Sequence, residues 1–569
     1  MARSSRRPID RPVRPTFWLS SIGIGSALGY AAALLRFPLL GIYAQPIQNL
    51  DKLTSSNGWI GLALAAGVLA LFGLYALGAL ALAGAARGLG SGAGGATQAP
   101  SPKPQALLVL ALIGFPLLFL ALLVFVYPTS SVDLYDYMFR GRMLVRYGAN
   151  TFVDVPSDFK SDPLFWYVAW RHAVTAYGPL WEGLSWLTAR LAGEAPGLPG
   201  AGAARDAELL RLMLAYKGLA ALGFLSCGAA IWLVLRRSAP EWRWLGLYLW
   251  LWNPLALWES LAAGHNDAWM AALIVLAVGA MSERQIDRVT RRQGDKVTIK
   301  DGMVTPSIGA FVALTLGGLV KFLALMFGPL LLAAALRRLP DARARLRLVL
   351  LGGLACGGLV ALAYAPFWVG WGTLRNFGDR GTLFTSSWLA VLQAPLTLGP
   401  LKAAVGAPSL LALLVSKDYA QPAAVGIGLG LLGLGVLWAS WRSWRAPGRL
   451  AAHALWLLLW FLFLCNPWFQ PWYLLWALAL LAAQPWRPAA ARLVVVFCCT
   501  GMLSYLAGVF LLPALGWSGD GAEWNALTSA LLYLPPLLAL LWGWRLAVSV
   551  RSRPSAAPAR PEGGASAIE

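Results

Sequence analysis

The stretch QALLVLALIGFPLLFLALLVFV, residues 105–126, is an unbroken apolar run, and it is followed at once by YPTSSVDLYDYMFRGRMLVRYGAN, residues 127–150. An α-helix rises 1.5 Å per residue, so a run of this length crosses a hydrocarbon layer of roughly 30 Å. Similar runs recur near 17–36, 58–86, 209–235, 244–263, 267–282, 307–336, 346–368, 421–441, 450–465, 472–484, 492–513 and 526–548. The chain is 569 residues long with 58% hydrophobic and only 12% charged residues, a charged fraction about half that of soluble domains. These features predict an all-α polytopic membrane protein with about 12–14 transmembrane helices.

The net charge of +21 raises the question of a nucleic-acid partner, which the placement of the charge answers. With the Arg-rich start MARSSRRPIDRPVRP on the cytoplasmic side, and 307–336 entering and leaving on one side, the remaining segments cross once each. The basic excess then falls on the cytoplasmic loops and the opposite side is charge-balanced. The positive-inside rule accounts for the charge, and no nucleic-acid partner is implied. Both termini are expected in the cytoplasm of a cell-membrane protein. The first apolar segment is about twenty residues long and lacks a small-residue cleavage site, so it reads as a retained anchor.

Composition divides the chain into a basic N-terminus, two-helix hairpin and Gly/Pro/Ala/Ser-rich linker (1–104), a membrane core (105–485), C-terminal membrane helices (486–548) and a flexible tail (549–569). A charged insert at 283–306 reads as a cytoplasmic loop. The extracytoplasmic loops are long and aromatic, above all 128–208, and their amphipathic stretches predict interfacial helices roofing a cavity. Cys227, Cys356, Cys465, Cys498 and Cys499 all fall in or beside apolar spans, as buried thiols rather than disulfides or zinc ligands.

Candidate chemistry gathers at the ends of these spans. If residues after 132 are helical, Asp133, Asp136, Tyr137 and Arg140 lie at i, i+3, i+4 and i+7, on one face at the mouth of the third crossing. Asp136 and Arg140 also suit an ordinary helix ion pair, whereas Asp133 is not needed for that pair and becomes a better base when partly desolvated. A second polar knot, GHND at 264–267, places His265, Asn266 and Asp267 between two apolar helices, with Glu259 on the incoming one; helix capping needs only one of these side chains. Lys321 lies within GGLVKFLALMFGPLL, where an ammonium is expensive unless it meets a cavity or an anion. Asp133, Asp136, His265 and Asp267 offer metal-ligand atoms, but at no metal-specific spacing, so a divalent ion is not favoured and no cofactor is expected. No G-x-x-x-x-G-K-[ST] run appears, which argues against nucleotide-driven transport.

The set DLYDYMFRGRMLVRYGANTF, YGPLWE (177–182), WNPLALWE (252–259), GHNDA (264–268), LVKF (319–322), YAPFW (364–368) and QPWYLLW (470–476) resembles the bacterial polyprenyl-phosphate-mannose-dependent mannosyltransferases of the GT-C class. The resemblance runs in order from about 106 to 485, with one departure at Thr151, where that family usually has proline.

The resemblance implies a GT-C-like fold and transfer of a hexose, mannose by analogy, from a polyprenyl-phosphate-sugar donor to a glycan or glycolipid acceptor on the extracytoplasmic face. It implies inversion, with Asp133 as general base and Asp136 as orienter or second candidate. Arg140, Arg142 and Lys321 are the expected donor-phosphate ligands. Tyr137, Trp181, His265, Asn266, Asp267 and Trp468 are the expected sugar and acceptor contacts. Membrane lipids are the remaining partner. A transporter or flippase for a lipid-linked sugar would share the cavity and the cations without needing an ionised base.

Overall fold

The computed structural model describes residues 15–45, 47–90, 102–196, 202–281, 304–377, 383–397, 417–516 and 522–551. The basic N-terminus, the 91–101 linker region, nearly all of the 283–306 insert, much of the 369–420 loop and the tail beyond 551 lie outside the described residues. Within them the chain is helical, with only two isolated β-bridges, Pro38 to Val126 and Thr385 to Trp468. Among the described residues nine helices are long and apolar enough to cross a membrane, and three shorter apolar ones, Asp267–Ala280, Val304–Val320 and Pro471–Ala482, accompany them.

The long helices are α1 (Pro15–Arg36), α2 (Gly58–Gly90) and α3 (Pro102–Val124), which pack together ahead of the core. Two short helices follow, α4 (Asp133–Arg146) and α5 (Pro179–Leu191), packed on each other and on the long α6 (Ala203–Ser238). They are joined by the 3-10 turns Pro156–Phe159 and Phe165–Tyr167 of the 128–208 segment. Next come α7 (Arg243–Leu251), α8 (Asp267–Ala280), α9 (Val304–Val320), α10 (Gly328–Arg338) and α11 (Ala342–Tyr364). The C-terminal part comprises α12 (Trp388–Thr397), α13 (Lys417–Arg445), α14 (Leu450–Trp460), α15 (Leu474–Ala482), α16 (Pro488–Leu506) and α17 (Ala522–Arg551).

The shorter helices owe their length to deliberate interruptions. Asn253 and Pro254 end the run from α7, the Asn253 side chain accepting from Ala256 N at 3.1 Å, and a π-helical turn at Trp258–Ala262 then leads into GHND. A second π turn, Phe461–Cys465, leads from α14 into NPWFQPWY. Between α9 and α10 the chain is extended at Lys321 (φ −152°, ψ 119°) before the 3-10 turn Phe322–Phe327. Broken backbone at membrane depth persists only where protein or a cavity satisfies it, and π turns concentrate at functional sites.

The segment 304–338 doubles back on itself. Near its start Ser307 Oγ approaches Met281 Sδ at 3.5 Å, and at its end Arg338 donates to the carbonyls of Met281 and, at 2.8 Å, Pro447. Both ends therefore meet the same end of α8, while Lys321 at the tip reaches the other end. The five cysteines are free thiols, three of them buried.

Candidate active site

Each interruption delivers a polar residue to one end of the bundle. Asp133 opens α4, its backbone N–H donating to Ser131 Oγ at 3.1 Å. His265, Asn266 and Asp267 come from the turn after the first π segment, where Gly264 adopts φ +81°, a conformation open to glycine. Lys321 comes from the tip of the 304–338 segment. Tyr177 comes from the turn before α5, where the Gly178 N–H donates to Val320 O at 3.0 Å. A Cβ on Gly178 would meet the Leu319 carbonyl, so the YGP motif and the Lys321 break require one another.

At the centre, a buried carboxylate and a partly open one flank an imidazole. The Asp133 side chain keeps 16% exposure and its Oδ2 lies 3.9 Å from His265 Nδ1. On the far side His265 Nε2 lies 3.3 Å from Glu259 Oε2, and both side chains are fully buried. The imidazole stacks on Trp472, centroids 3.9 Å apart, which fixes its plane. Tyr505 donates to the other Glu259 oxygen at 3.0 Å. Tyr177 OH reaches Asp133 Oδ2 at 3.5 Å and Tyr137 OH at 3.1 Å. Burial pushes the Asp133 carboxyl above its ordinary value; His265 opposes the shift and Asp136 adds to it. A carboxylate so placed is a stronger base than a solvated one.

Beside it stands a cation. Lys321 Nζ lies 2.8 Å from Asp267 Oδ1, which also accepts from Trp476 Nε1 at 2.9 Å. The ammonium is ringed by Tyr177, Tyr473 and Trp476 at 5.4 to 5.5 Å from their centroids. Lysine at this depth is held by one carboxylate and three ring faces. Asn266 starts α8 without a side-chain cap bond. Its Oδ1 and Nδ2, and Asp267 Oδ2, are buried with no hydrogen-bond partner among the described residues. Buried polar atoms of this kind are rare unless a ligand or water meets them.

The capping reading of GHND is therefore set aside, and Asp133, Tyr137, His265, Asn266, Asp267 and Lys321 lie together in one cluster. Others are placed differently. Arg140 is buried against Asp136, Nε to Oδ2 2.8 Å, and donates to Ala173 O at 2.9 Å. Asp136 is thus committed to Arg140, the ordinary helix pair. Arg142, two residues on, points into a separate cluster with Asp162 (2.7 Å), Glu194 (2.5 Å) and Glu208 (3.1 Å), which Arg146 shares. Neither guanidinium is open to a donor phosphate: a buried charge is stable only when paired, and these pairs clamp the 128–208 segment together.

Trp181 is 1% exposed and packs edge-on to Tyr137, so it supports the wall rather than offering a face. His265 likewise is walled in by its two carboxylates and Trp472. Trp468 is half-buried and pairs with Trp170, ring centroids 5.4 Å apart.

Several residues were not legible as partners. Glu259 was placed on the helix leading into GHND but not as the partner of His265, and Tyr177, Trp472, Tyr473, Trp476 and Tyr505 were visible only as aromatics. Lys217, an ammonium in mid-span on α6, is fully buried and donates to Val126 O (2.8 Å), Leu261 O (3.0 Å) and Ala262 O. It ties the end of the third crossing to the π turn, holding the two arms that carry Asp133 and His265. Thr151 explains its own departure from proline: its hydroxyl donates to Glu182 Oε2 at 2.9 Å, and Thr175 donates to Oε1 at 2.6 Å. Glu182 is buried near Arg140, and burial raises its carboxyl pKa.

Comparison with known families places residues 27–337 in a match to alpha-(1->6)-mannopyranosyltransferase, N-terminal domain, and residues 398–509 in a match to the MptB C-terminal domain. No curated protein matches the chain.

Proposed function

Because the chain belongs to the alpha-(1->6)-mannopyranosyltransferase family, and is therefore a membrane glycosyltransferase of the GT-C type, we propose that it carries mannose from a polyprenyl-phosphate donor to the 6-hydroxyl of a glycan or glycolipid acceptor, with Asp133 as general base. The single observation that carries the assignment of the base is the position of Asp133: partly open, raised in pKa, and faced by a buried imidazole.

In this mechanism the acceptor hydroxyl lies against Asp133 Oδ2. As its oxygen attacks the anomeric carbon, the C–O bond to the donor phosphate breaks and the hydroxyl proton passes to the carboxylate. Attack opposite the leaving phosphate inverts the anomeric centre, so an α-linked product requires a β-linked donor. His265, backed by Glu259, is a positioning residue that favours the ionised carboxylate before attack. Lys321 meets the departing phosphate monoester, stabilising charge as it develops. Asn266 and Asp267, with their unpartnered atoms, bind sugar hydroxyls, and the Trp170 and Trp468 pair offers ring faces to the acceptor. The leaving group is already a phosphate, and the proposed chemistry uses no metal or other cofactor. By the positive-inside arrangement of the loops, the site faces the extracytoplasmic side and both termini the cytoplasm.

The test is Asp133→Asn in lipid-reconstituted protein supplied with polyprenyl-phosphate-mannose and α-mannan acceptors. Loss of general-base catalysis lowers turnover by about 10²–10⁴-fold, with donor binding retained. Unchanged turnover, or equal loss of donor binding, removes Asp133 from the role of base.

A further inference from the structure

A second site lies at the opposite end of the bundle. Between α13, α14, α16 and α17 runs a groove of about 1010 Å³, walled by Trp388, Trp438, Trp456 and Phe463 among other apolar side chains. That volume is at the upper end of those that hold small ligands, which run to roughly 1,000 Å³. The groove follows α14 from Arg449 just before its first residue to Leu464 beyond its last, a length of roughly 22 Å at 1.5 Å per residue. Its basic end sits beside Pro447, whose carbonyl receives Arg338. The Asp133 site lies at the other end of the same helices.

Three arginines line that basic end, Arg442 from the last turn of α13, Arg449 from the turn before α14, and Arg487 from the turn before α16. They come from three separate elements and all act electrostatically on one residue, the buried His453, while Arg449 also acts on Arg487. His453 Nδ1 is engaged by Ser443 Oγ at 3.1 Å and offers no counter-charge. Among the described residues, none that lines the groove is acidic.

Positive loops alone explain arginines at helix ends on this face. They do not explain three guanidinium groups converging on one cavity mouth, because like charges gathered without an anion repel. An anion with an apolar body satisfies both halves of the groove at once. Basic pockets between transmembrane helices have this character where they hold anionic lipid headgroups.

We propose that this groove binds an anionic phospholipid of the surrounding membrane, its phosphate among Arg442, Arg449 and Arg487 and its acyl chains along the tryptophan-lined wall. The phosphate receives charge-assisted hydrogen bonds from planar guanidinium donors, for which arginine is better suited than lysine. Occupancy braces α13, α14 and α16, and α14 leads through its π turn into NPWFQPWY, toward the Asp133 site. The inference does not depend on the identity of the transferred sugar or on the general base.

The experiment uses full-length protein in detergent, titrated with phosphatidylglycerol, phosphatidylcholine, polyprenyl phosphate or inorganic phosphate while thermal unfolding is followed, with native mass spectrometry to count retained lipid. Phosphatidylglycerol is expected to raise the melting temperature and to co-purify, phosphatidylcholine and inorganic phosphate to do neither. The triple variant Arg442→Ala/Arg449→Ala/Arg487→Ala should weaken the phosphatidylglycerol response at least tenfold. Arg442→Lys/Arg449→Lys/Arg487→Lys, which keeps the charge and guards against misfolding of the alanine variant, should recover most of it. A second groove variant, Leu434→Trp, fills the apolar wall and should displace the lipid with all arginines intact. The proposal is overturned if the alanine or the tryptophan variant retains phosphatidylglycerol as the parent does, if the lysine variant loses it as fully as the alanine variant, if inorganic phosphate alone gives the full shift, or if polyprenyl phosphate is retained in place of phospholipid.

Discussion

Replacing Lys321 by methionine separates what the ammonium does for the fold from what it does for transfer. Asp267 is fully buried and Lys321 Nζ sits 2.8 Å from its Oδ1, with Trp476 Nε1 the second donor to that oxygen and none to Oδ2. Lys321→Met leaves the carboxylate buried with one neutral donor, which for a broken buried pair costs about 3–5 kcal/mol. The methionine still fills the cage of Tyr177, Tyr473 and Trp476, so little packing is lost. Asp267→Asn/Lys321→Met removes both charges, and its stability should return to within about 1 kcal/mol of the parent, because replacing a whole buried pair is often close to neutral. Transfer should not return with it: if Lys321 meets the leaving phosphate, both variants lose the stabilisation of developing charge, roughly 10²–10³-fold in turnover for the loss of one such donor. Unfolding in micelles gives the first quantity and mannosyl transfer the second. Recovery of turnover in the double variant, alongside its stability, refutes the phosphate role and leaves Lys321 as a structural partner of Asp267.

Other expectations follow from single contacts. Burial holds the Asp133 carboxyl above its ordinary pKa, so its contribution to stability is present at low pH and is lost as pH rises through the folded pKa; Asp133→Asn should therefore unfold at a higher temperature than the parent at pH 7 while losing turnover. The same shift sets the acid limb of transfer above the range of an unperturbed carboxylate, which a pH profile of kcat/KM reads directly. Thr151→Val deprives the buried Glu182 of one of its two hydroxyl donors and should cost about 1–3 kcal/mol in thermal or denaturant unfolding. Gly178→Ala drives a methyl group into the Leu319 carbonyl at the tip of the 304–338 segment and should cost about 1–3 kcal/mol, with a fall in turnover as Lys321 shifts.

The membrane-spanning architecture was legible in the apolar runs because a helix in hydrocarbon must satisfy its own backbone, so length and hydropathy alone select it. The same reasoning singled out Asp133, GHND and Lys321, the residues that gather at the candidate site, since they stand where polar groups are too costly to be incidental. It did not reveal their partners. Asp136 and Arg140 at i and i+4 fit equally a catalytic face or an internal ion pair, and only the packing of α4 against α5 and α6 buried both and decided for the pair. Arg142 lies within two residues of Arg140 yet faces Asp162, Glu194 and Glu208, acids 20 to 66 residues away that no local spacing could nominate.

Glu259 joined His265 because a π turn rotated the helix end, a change of pitch invisible in the residue pattern. The sequence alone determined that this chain crosses a membrane and gathers acids, amides and a lysine at the ends of its spans, since transfer free energy acts residue by residue. Which of those groups meet, which neutralise one another and which remain open to a substrate was decided by tertiary structure, because electrostatic partnership depends on distance in space and on burial, and neither is encoded in neighbouring positions.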